Sequence, residues 1–407
     1  MKIFKFLVLL LVLSNCAFAQ QPYVLLISFD GFRWDYPNRG ITPNIEKMRE
    51  DGVSASSLRP TFPSKTFPNH YAIISGMYND HHGIIANFFE NPFTKEIYRL
   101  GDSLAVTNSK WYLGEPFWTT AERQGVISAS YFWPGSEQKL SYRHPTYFEK
   151  YDHFRPHNTS VDGVIKWLRL PREKRPHFIT LYFHDTDDKG HHFGPRSEEI
   201  NNAIMSLDSV IGYLYQRFDD IGMRDSVNVI LVSDHGMTEI DTNRTIHIDK
   251  ILNGFDYKMG GTRPVMTIKP AKKNDFDEIF KTLKKNEFHY KVYKKENLPE
   301  FYHYKDDPFI YPIILVADLG WSLVNQKFFN EMADSGDKGN HGYDNNQIDM
   351  HGIFIAAGPA FKNGYKTGTV WNIDIYPLLC KIFNIYPRSN IDGRLERIEF
   401  ILKAMDN

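Results

Sequence analysis

Four short, unbroken apolar runs punctuate the chain: Tyr23–Phe29, Phe178–Phe183, Val227–Val232 and Ile353–Ala357. Runs of about four to eight residues without polar alternation predict strands buried on both faces, as in a parallel sheet covered by helices. Between them the spacing switches to the helical period. Thr42-Pro43 predicts a helix start, with a cap and a proline at the first helical position, and Gly52 predicts its end. Ser197 opens a second helix, in which Ile200, Ile204, Leu207, Val210, Ile211 and Leu214 share one apolar stripe. Strands alternating with helices predict an α/β fold.

The texture changes between about residues 250 and 323. There Val265–Ile268, Asp275–Leu283, Tyr290–Tyr293 and Ile313–Val316 predict a small strand–helix–strand unit, rich in lysine and without a chemistry-bearing cluster. It reads as a subdomain inserted into the main fold. No repeat, low-complexity tract or flexible linker divides the rest.

The first residues carry an export signal: Lys2 and Lys5, the apolar run Phe6–Leu13, then Ala17-Phe18-Ala19. The expected layout is a signal peptide over 1–19, cut after Ala19, and one domain over 20–407, giving a periplasmic or secreted protein. The run falls short of the about 20 apolar residues that a membrane span needs. Leu13-Ser14-Asn15-Cys16 resembles a lipoprotein box, although bulky Asn15 stands where a small residue is usual. A lipid-anchored Cys16 is therefore the alternative to a released chain. Cut after Ala19, the chain keeps Cys380 as its sole thiol, which allows neither an internal disulfide nor a cysteine metal site. Among Ile375, Leu378, Leu379, Ile382 and Phe383, Cys380 is expected to be buried. A net charge of -1 with no basic tract argues against a general nucleic-acid binder, whose affinity needs a basic footprint.

Three of the predicted strands run into acidic and histidine residues. The first ends at Asp30, the second leads to Asp187 and His191, and the third to Asp234 and His235. Carboxyl ends of adjacent parallel strands line one crevice, so these residues should converge. His341, in Gly339-Asn340-His341-Gly342, could join them from a loop before the last strand. Taken singly, an aspartate at a strand end is more often a turn or cap residue, and a histidine more often a satisfied polar group. Six of them at three strand ends and one glycine-flanked loop do not reduce to that. Oxygen and imidazole ligands without thiolate suit zinc, manganese or iron. A pair of ions about 3.5–4 Å apart serves phosphoryl transfer by holding both the attacking and the leaving oxygen.

Thr66 is the candidate nucleophile. Pro68 and the apolar Tyr71-Ala72-Ile73-Ile74 predict a helix beginning near it, where free N–H groups and the dipole favour an anionic phosphate or alkoxide. An alcohol needs activation at neutral pH, which a metal would supply. In isolation, Thr66 would read as a plain helix cap.

Lys65-Thr66-Phe67-Pro68-Asn69-His70-Tyr71, Gly76, and His82-Gly83-Ile84-Ile85-Ala86-Asn87 together resemble the nucleotide pyrophosphatase/phosphodiesterase family of the alkaline phosphatase superfamily. Asp30-Gly31-Phe32-Arg33, Gly114-Glu115-Pro116, Phe132-Trp133-Pro134-Gly135-Ser136, Gly190-His191, Ser233-Asp234-His235-Gly236-Met237 and His341-Gly342 extend that resemblance over essentially the whole mature chain. It implies a three-layer α/β fold with a mostly parallel central sheet and a small inserted α+β cap. It implies two zinc ions, one held by Asp187, His191 and His341, the other by Asp30, Asp234, His235 and Thr66. Thr66 would form a covalent phospho-enzyme, and Asn87 would join the metals at the phosphate oxygens. Phe67, Trp133 and Tyr151 would lie near the nucleoside. Substrates would be small nucleotide phosphodiesters and pyrophosphates, not duplex nucleic acid, with a nucleoside monophosphate released. The resemblance leaves the oligomeric state open.

There are departures. The cysteine-rich N-terminal modules and C-terminal nuclease-like domain of larger animal members are not expected here. His184-Asp185-Thr186 replaces a more acidic stretch and leaves Asp185 and Asp188 as rivals to Asp187, which the spacing to His191 favours. His70, His81, His82, His192 and His351 read as supporting or structural. Two doubly charged ions against three carboxylates and an alkoxide leave a nearly neutral core, and neutral Asn87 then suits a diester better than a monoester dianion. Rival readings are a lysophospholipid or glycerophosphodiester hydrolase on the same core, a phosphomonoesterase or sulfatase, and a catalytically dead zinc-binding exported protein. The last would be signalled by a missing ligand, and none is missing.

Overall fold

The computed structural model describes residues 21–404; the expected export signal and Cys16 lie outside them. The middle layer is an eight-stranded sheet. Its strands are β1 (Tyr23–Phe29), β2 (Val53–Ala55), β3 (Ser128–Tyr131), β4 (Tyr147–Glu149), β5 (Phe178–Phe183), β6 (Val227–Val232), β7 (Phe354–Ala357) and β8 (Tyr365–Thr367). Their spatial order is β8-β2-β7-β6-β1-β5-β3-β4. Only β7 runs against the rest, antiparallel to both β6 and β2.

Every residue of β1, β5 and β6 is buried, which is why these strands read as continuous apolar runs. Their side chains alternate between two cores. Val24, Leu26, Ile230 and Val232 pack on one face with Ile73 and Ile74 of helix α2 (Thr66–Ser75). Leu25, Ile27, Val229 and Leu231 pack on the other with α1 (Pro43–Asp51) and the stripe of α4 (Glu198–Asp220). Helix, sheet and helix make the three layers of the expected α/β class.

Ser197 caps α4 as its sequence predicts, its Oγ accepting from the Ile200 N–H at 3.2 Å. Thr42 does not cap α1. It stands at the N-cap position, but its hydroxyl turns back to the Pro37 carbonyl at 3.3 Å. The Asp208 carboxylate, reaching across from α4, accepts from the Asn44 and Ile45 N–H groups at 3.3 and 2.8 Å instead. A charged acceptor suits the positive helix end better than a hydroxyl, and it ties the two helices together.

Residues 257–317 contain a second, four-stranded antiparallel sheet, in the order Tyr257–Thr262, Val265–Pro270, Ile313–Ala317, Tyr290–Lys294. Helix Phe276–Lys285 covers it through Ile279 and Leu283, and they share a core with Ile268, Val292 and Leu315. The edge strand Tyr257–Thr262 has no counterpart in the sequence expectations, because Lys258 and Gly260-Gly261 break the strand pattern. Cys380 is buried in helix Ile375–Phe383, and burial pushes its thiol up to about 12. No helix among the described residues is long and apolar enough to cross a membrane.

Candidate metal centre

β5 and β6 flank β1 in register, with Phe29 opposite Phe183 and Ser28 opposite Val232. The residues that follow these strands therefore meet at one edge of the sheet. Asp30 follows β1 directly, and Asp234 and His235 follow β6 after Ser233. β5 leads through His184 into helix α3 (Asp185–Phe193), where Asp187 and His191 stand one turn apart on one face. Gly31 has φ +65°, and a Cβ there would come within 2.9 Å of the Asp187 Cα, so glycine is what lets β1 meet α3. His341 arrives on the short strand Gly339–Asn340, paired with Thr238–Glu239. A Cβ on Gly339 would lie 2.2 Å from the Gly190 carbonyl oxygen, so this strand too packs directly on α3.

Asp187 Oδ1 lies 3.5 Å from His191 Nε2 and 3.6 Å from His341 Nε2. His235 Nε2 lies 3.3 Å from Asp30 Oδ1, 3.0 Å from Asp234 Oδ2 and 3.3 Å from Thr66 Oγ1. The rings of His235 and His341 stack at 3.5 Å, so the two ligand sets run into one another. Each of the three imidazoles directs Nδ1 at a backbone carbonyl: His191 at Gly339 (3.0 Å), His235 at Gly236 (2.8 Å) and His341 at Ser64 (2.8 Å). An Nδ1–H donated to a carbonyl leaves the Nε2 lone pair free, the usual arrangement of a metal-ligating histidine. His70 is different. Its Nδ1, the atom nearest Asp234 Oδ2 at 3.4 Å, is engaged by the Thr66 carbonyl at 2.9 Å, and its Nε2 meets Ser28 Oγ at 2.8 Å. It braces the centre and has no lone pair to offer it.

Asp30 Oδ1, Asp187 Oδ1 and Asp234 Oδ2 are buried without a hydrogen-bond partner. Burial, then the negative charges of Asp234 and Asp187, push the Asp30 carboxyl well above its ordinary range. Orphaned carboxylate oxygens facing free imidazole nitrogens are what a divalent cation resolves, and this donor set fits one. Asp185 and Asp188 turn elsewhere, Asp185 to His157 at 2.9 Å and Asp188 toward His153 and His184.

Thr66 is the first residue of α2, buried at the same edge. The Asn87 side-chain oxygen accepts from the Phe67 N–H at 3.2 Å, which leaves its NH2 group free to donate. Neighbouring Lys65 is buried, donates to Asn340 Oδ1 at 3.2 Å, and is pushed down to about 7 by burial and by Arg263.

Two cavities open on the centre. One, of about 490 Å³, is bounded by Asp30, Thr66, Phe67, Trp133, Tyr151 and Asp187. Tyr151 is half exposed there, whereas Trp133 is 1 % exposed and donates its indole N–H to the His70 carbonyl at 3.2 Å. The other, of about 460 Å³, is bounded by Asn87, His191 and His341 and by the cations Lys65, Arg99, Arg263 and Lys327. A larger cavity of about 550 Å³ beside Asn44, Arg224 and Val227 lies at the amino-terminal end of β6, away from these groups.

Sequence reasoning missed Tyr182, Arg99 and Arg263. Tyr182 OH donates to Asp30 Oδ2 at 2.6 Å, and its one sequence signal is a hydroxyl inside an otherwise nearly apolar strand. Arg99 and Arg263 are far from every motif and reach the centre only through the fold.

A family model described as "Type I phosphodiesterase / nucleotide pyrophosphatase" matches residues 24–344. Human ectonucleotide pyrophosphatase/phosphodiesterase family member 5 is 38 % identical over 393 residues, covering 94 % of this chain and 80 % of its own length. The Xenopus laevis bis(5'-adenosyl)-triphosphatase enpp4 is 34 % identical over 386 residues, covering 94 % of this chain and 82 % of its own. A solved structure of the murine family member 5, an inactive threonine-to-alanine variant in complex with AMP, superposes with a TM-score of 0.87 at 33 % identity, covering 94 % of this chain and 100 % of that one.

Proposed function

The chain belongs to the type I phosphodiesterase/nucleotide pyrophosphatase family, and from that premise we propose that it is an exported two-zinc hydrolase releasing nucleoside monophosphates through Thr66. The observation that carries this reading is Thr66 Oγ1 at 3.3 Å from His235 Nε2, at the start of α2 and beside three unpartnered carboxylate oxygens. Asp187, His191 and His341 would hold one ion, and Asp30, Asp234, His235 and Thr66 the other. The chemistry such a pair supplies is charge stabilisation at the attacking and leaving oxygens of an in-line displacement.

Thr66 Oγ loses its proton and attacks phosphorus. The Oγ–P bond forms as the bond to the leaving oxygen breaks, giving a phosphothreonine. Water then attacks from the opposite side, and Oγ departs with a proton. The amino-terminal end of α2 favours the anionic phosphate throughout. The free NH2 group of Asn87 would donate to a phosphate oxygen, positioned by the Phe67 N–H that holds its other end.

The two cavities divide the substrate. Phe67 and Tyr151 suit a nucleoside, since aromatic faces stack on any base. The cationic cavity suits a polyanionic leaving group, such as pyrophosphate or a second nucleotide. Those cations refine the preference for diesters: the substrate class they favour is the phosphoanhydride. Relatives named for nucleotide pyrophosphate and bis-adenosyl triphosphate hydrolysis, and one solved with AMP, agree with it. Residues 1–19 are read as the removed signal, and about 250–323 as a cap inserted into the catalytic domain.

A chromogenic nucleotide diester assayed beside a chromogenic monoester tests the reading, with metal content measured after stringent dialysis. Diester preference with close to two zinc ions per chain is expected. A monoester preference, or full activity without metal, would overturn it.

A further inference from the structure

The residues just before Thr66 are fastened to the helix that Thr66 begins. Asn69, fully buried in the first turn of α2, donates through Nδ2 to the Pro63 carbonyl at 3.1 Å and the Lys65 carbonyl at 2.9 Å. Its Oδ1 accepts from the Thr61 N–H at 2.7 Å. Residues 61–65 are therefore tied to α2, and so to the Thr66 hydroxyl.

The same stretch grips the loop that bears His341. The short strand Gly339–Asn340 ends just before this ligand, and Ser64 takes over where the strand stops. Ser64 Oγ accepts from the Gly342 N–H at 3.2 Å and donates to the Tyr343 carbonyl at 3.1 Å. Its backbone carbonyl accepts from His341 Nδ1 at 2.8 Å. Lys65 adds a second tie: Nζ donates to Asn340 Oδ1 at 3.2 Å, and that oxygen also accepts from the His341 N–H at 2.9 Å. Gly342 has φ +107°, and a Cβ there would strike Lys65 Cε, so the two stretches lie in direct contact. Ser64 and His341 are buried within this junction.

We propose that Ser64 is a positioning residue: its hydroxyl pins the 341–343 loop to the nucleophile segment and so sets where His341 Nε2 stands relative to Thr66. The inference rests on the two-zinc reading and extends it, from which residues hold an ion to what fixes one ion against the nucleophile. Thr66 and His341 belong to different ligand sets, so a brace between them governs the spacing of attacking oxygen and stabilising charge. A misplacement of about 1 Å at a reacting centre can cost about 100-fold. Lys65 is the less informative half of the brace, because it also borders the cationic cavity.

Chelator titration of the zinc-loaded enzyme tests the proposal, with release of each ion followed separately. His341→Ala identifies the step that belongs to the His341 ion. Ser64→Ala removes the hydroxyl but keeps the carbonyl that His341 Nδ1 uses, and Ser64 is outside the linings of both cavities. We expect that step to come about 10–100-fold more easily than in the wild type, as on loss of other outer partners of a ligand. The other step should be unchanged. Ser64→Thr keeps the hydroxyl and should release both ions as the wild type does. At saturating zinc, Ser64→Ala should lower kcat for a chromogenic nucleotide diester and leave KM unchanged. Wild-type release from Ser64→Ala, or both ions loosened alike, would overturn the proposal. A wild type holding fewer than two zinc ions would remove the two-zinc reading and this inference with it, a failure seen without any variant.

Discussion

The Tyr182 hydroxyl donates to Asp30 Oδ2 at 2.6 Å, inside the sheet and beside the candidate metal centre. It occupies one carboxylate oxygen and leaves the other, Oδ1, turned toward His235. Outer partners of this kind fix the ligand geometry, and their loss costs about 10–100-fold in metal affinity or activity. Tyr182→Phe removes the hydroxyl and keeps the ring. We expect chelator competition to show metal release about 10–100-fold easier, with little change in melting temperature. Unaltered affinity would mean that Asp30 is oriented by the backbone alone.

Thr66→Ala should abolish turnover and leave the fold intact, because only a hydroxyl and a methyl are lost at the wall of a cavity. Thr66→Ser keeps the hydroxyl and should retain appreciable activity. Single-turnover assays with radiolabelled phosphate should label the wild type and not Thr66→Ala. A near-wild-type rate in Thr66→Ala would mean that water attacks phosphorus directly.

The legible part of the molecule was the part determined by burial on both faces. β1, β5 and β6 coincide with their apolar runs to the residue, because a strand enclosed by two cores carries little polar side chain: one small buried residue each, Ser28, Thr180 and Asn228, apart from the tyrosine hydroxyls. Five of the six Asp and His residues were legible for a related reason: parallel neighbours deliver their ends to one place, whereas His341 arrives on a separate antiparallel pair and its signal was the glycine-flanked loop. What was hidden depends on partners far away in sequence. Asp208 replaces Thr42 as the cap of α1 from more than 160 residues away, a distance over which no local signal acts. Arg263 reaches the cationic cavity from a tight turn between two cap strands.

His81 and His82 are adjacent and shift in opposite directions. Both ring nitrogens of buried His82 are used by the neutral form, Nε2–H donating to the Pro68 carbonyl at 3.1 Å and Nδ1 accepting from the Ile84 N–H at 3.2 Å. Burial lowers its pKa to about 3, so the stability it contributes is complete above 6.5 and is lost as pH falls from there toward 3. The hydrogen bond to Asp392 raises His81 to about 9, so its contribution is complete below 6.5 and is lost as pH rises through 9. Urea midpoints measured against pH should fall on both sides of this window. His82→Gln should flatten the acid limb by up to about 1.4 kcal/mol per pH unit, and Asp392→Asn should flatten the alkaline limb. Parallel pH curves for wild type and His82→Gln would contradict the assignment.

Arg263 Nη1 is buried without a hydrogen-bond partner and borders the cationic cavity. A phosphate oxygen would satisfy it, and hydrogen bonds to charged groups contribute about 1.5–3 kcal/mol. Arg263→Ala should therefore lower kcat/KM for a nucleoside triphosphate about 10- to 150-fold. A nucleotide diester with an uncharged leaving group should be nearly unaffected. Equal losses on both substrates would mean that Arg263 acts through folding and not through the leaving group.

The nucleoside side of the substrate rests on Phe67. Its backbone N–H holds Asn87, while its ring, partly buried against the core and edge-on to Tyr98 at 6.5 Å, borders the cavity of about 490 Å³. Trp133, at 1 % exposure, offers a ligand almost no surface, so Phe67 and Tyr151 are the rings left to stack on a base. Stacking contributes about 1–3 kcal/mol per base, or about 5- to 150-fold in kcat/KM. Phe67→Ala keeps the Asn87 bond, which is made by the backbone, so it should lower kcat/KM for nucleotide substrates by that factor and leave the metal content unchanged. Trp133→Phe should change the same parameter much less. Lysophosphatidylcholine is the informative competitor, since it keeps the diester and replaces the base with choline and a lipid. If the wild type prefers it, or if Phe67→Ala loses nothing on nucleotides, the stacking argument falls while the metal-assisted attack by Thr66 still stands.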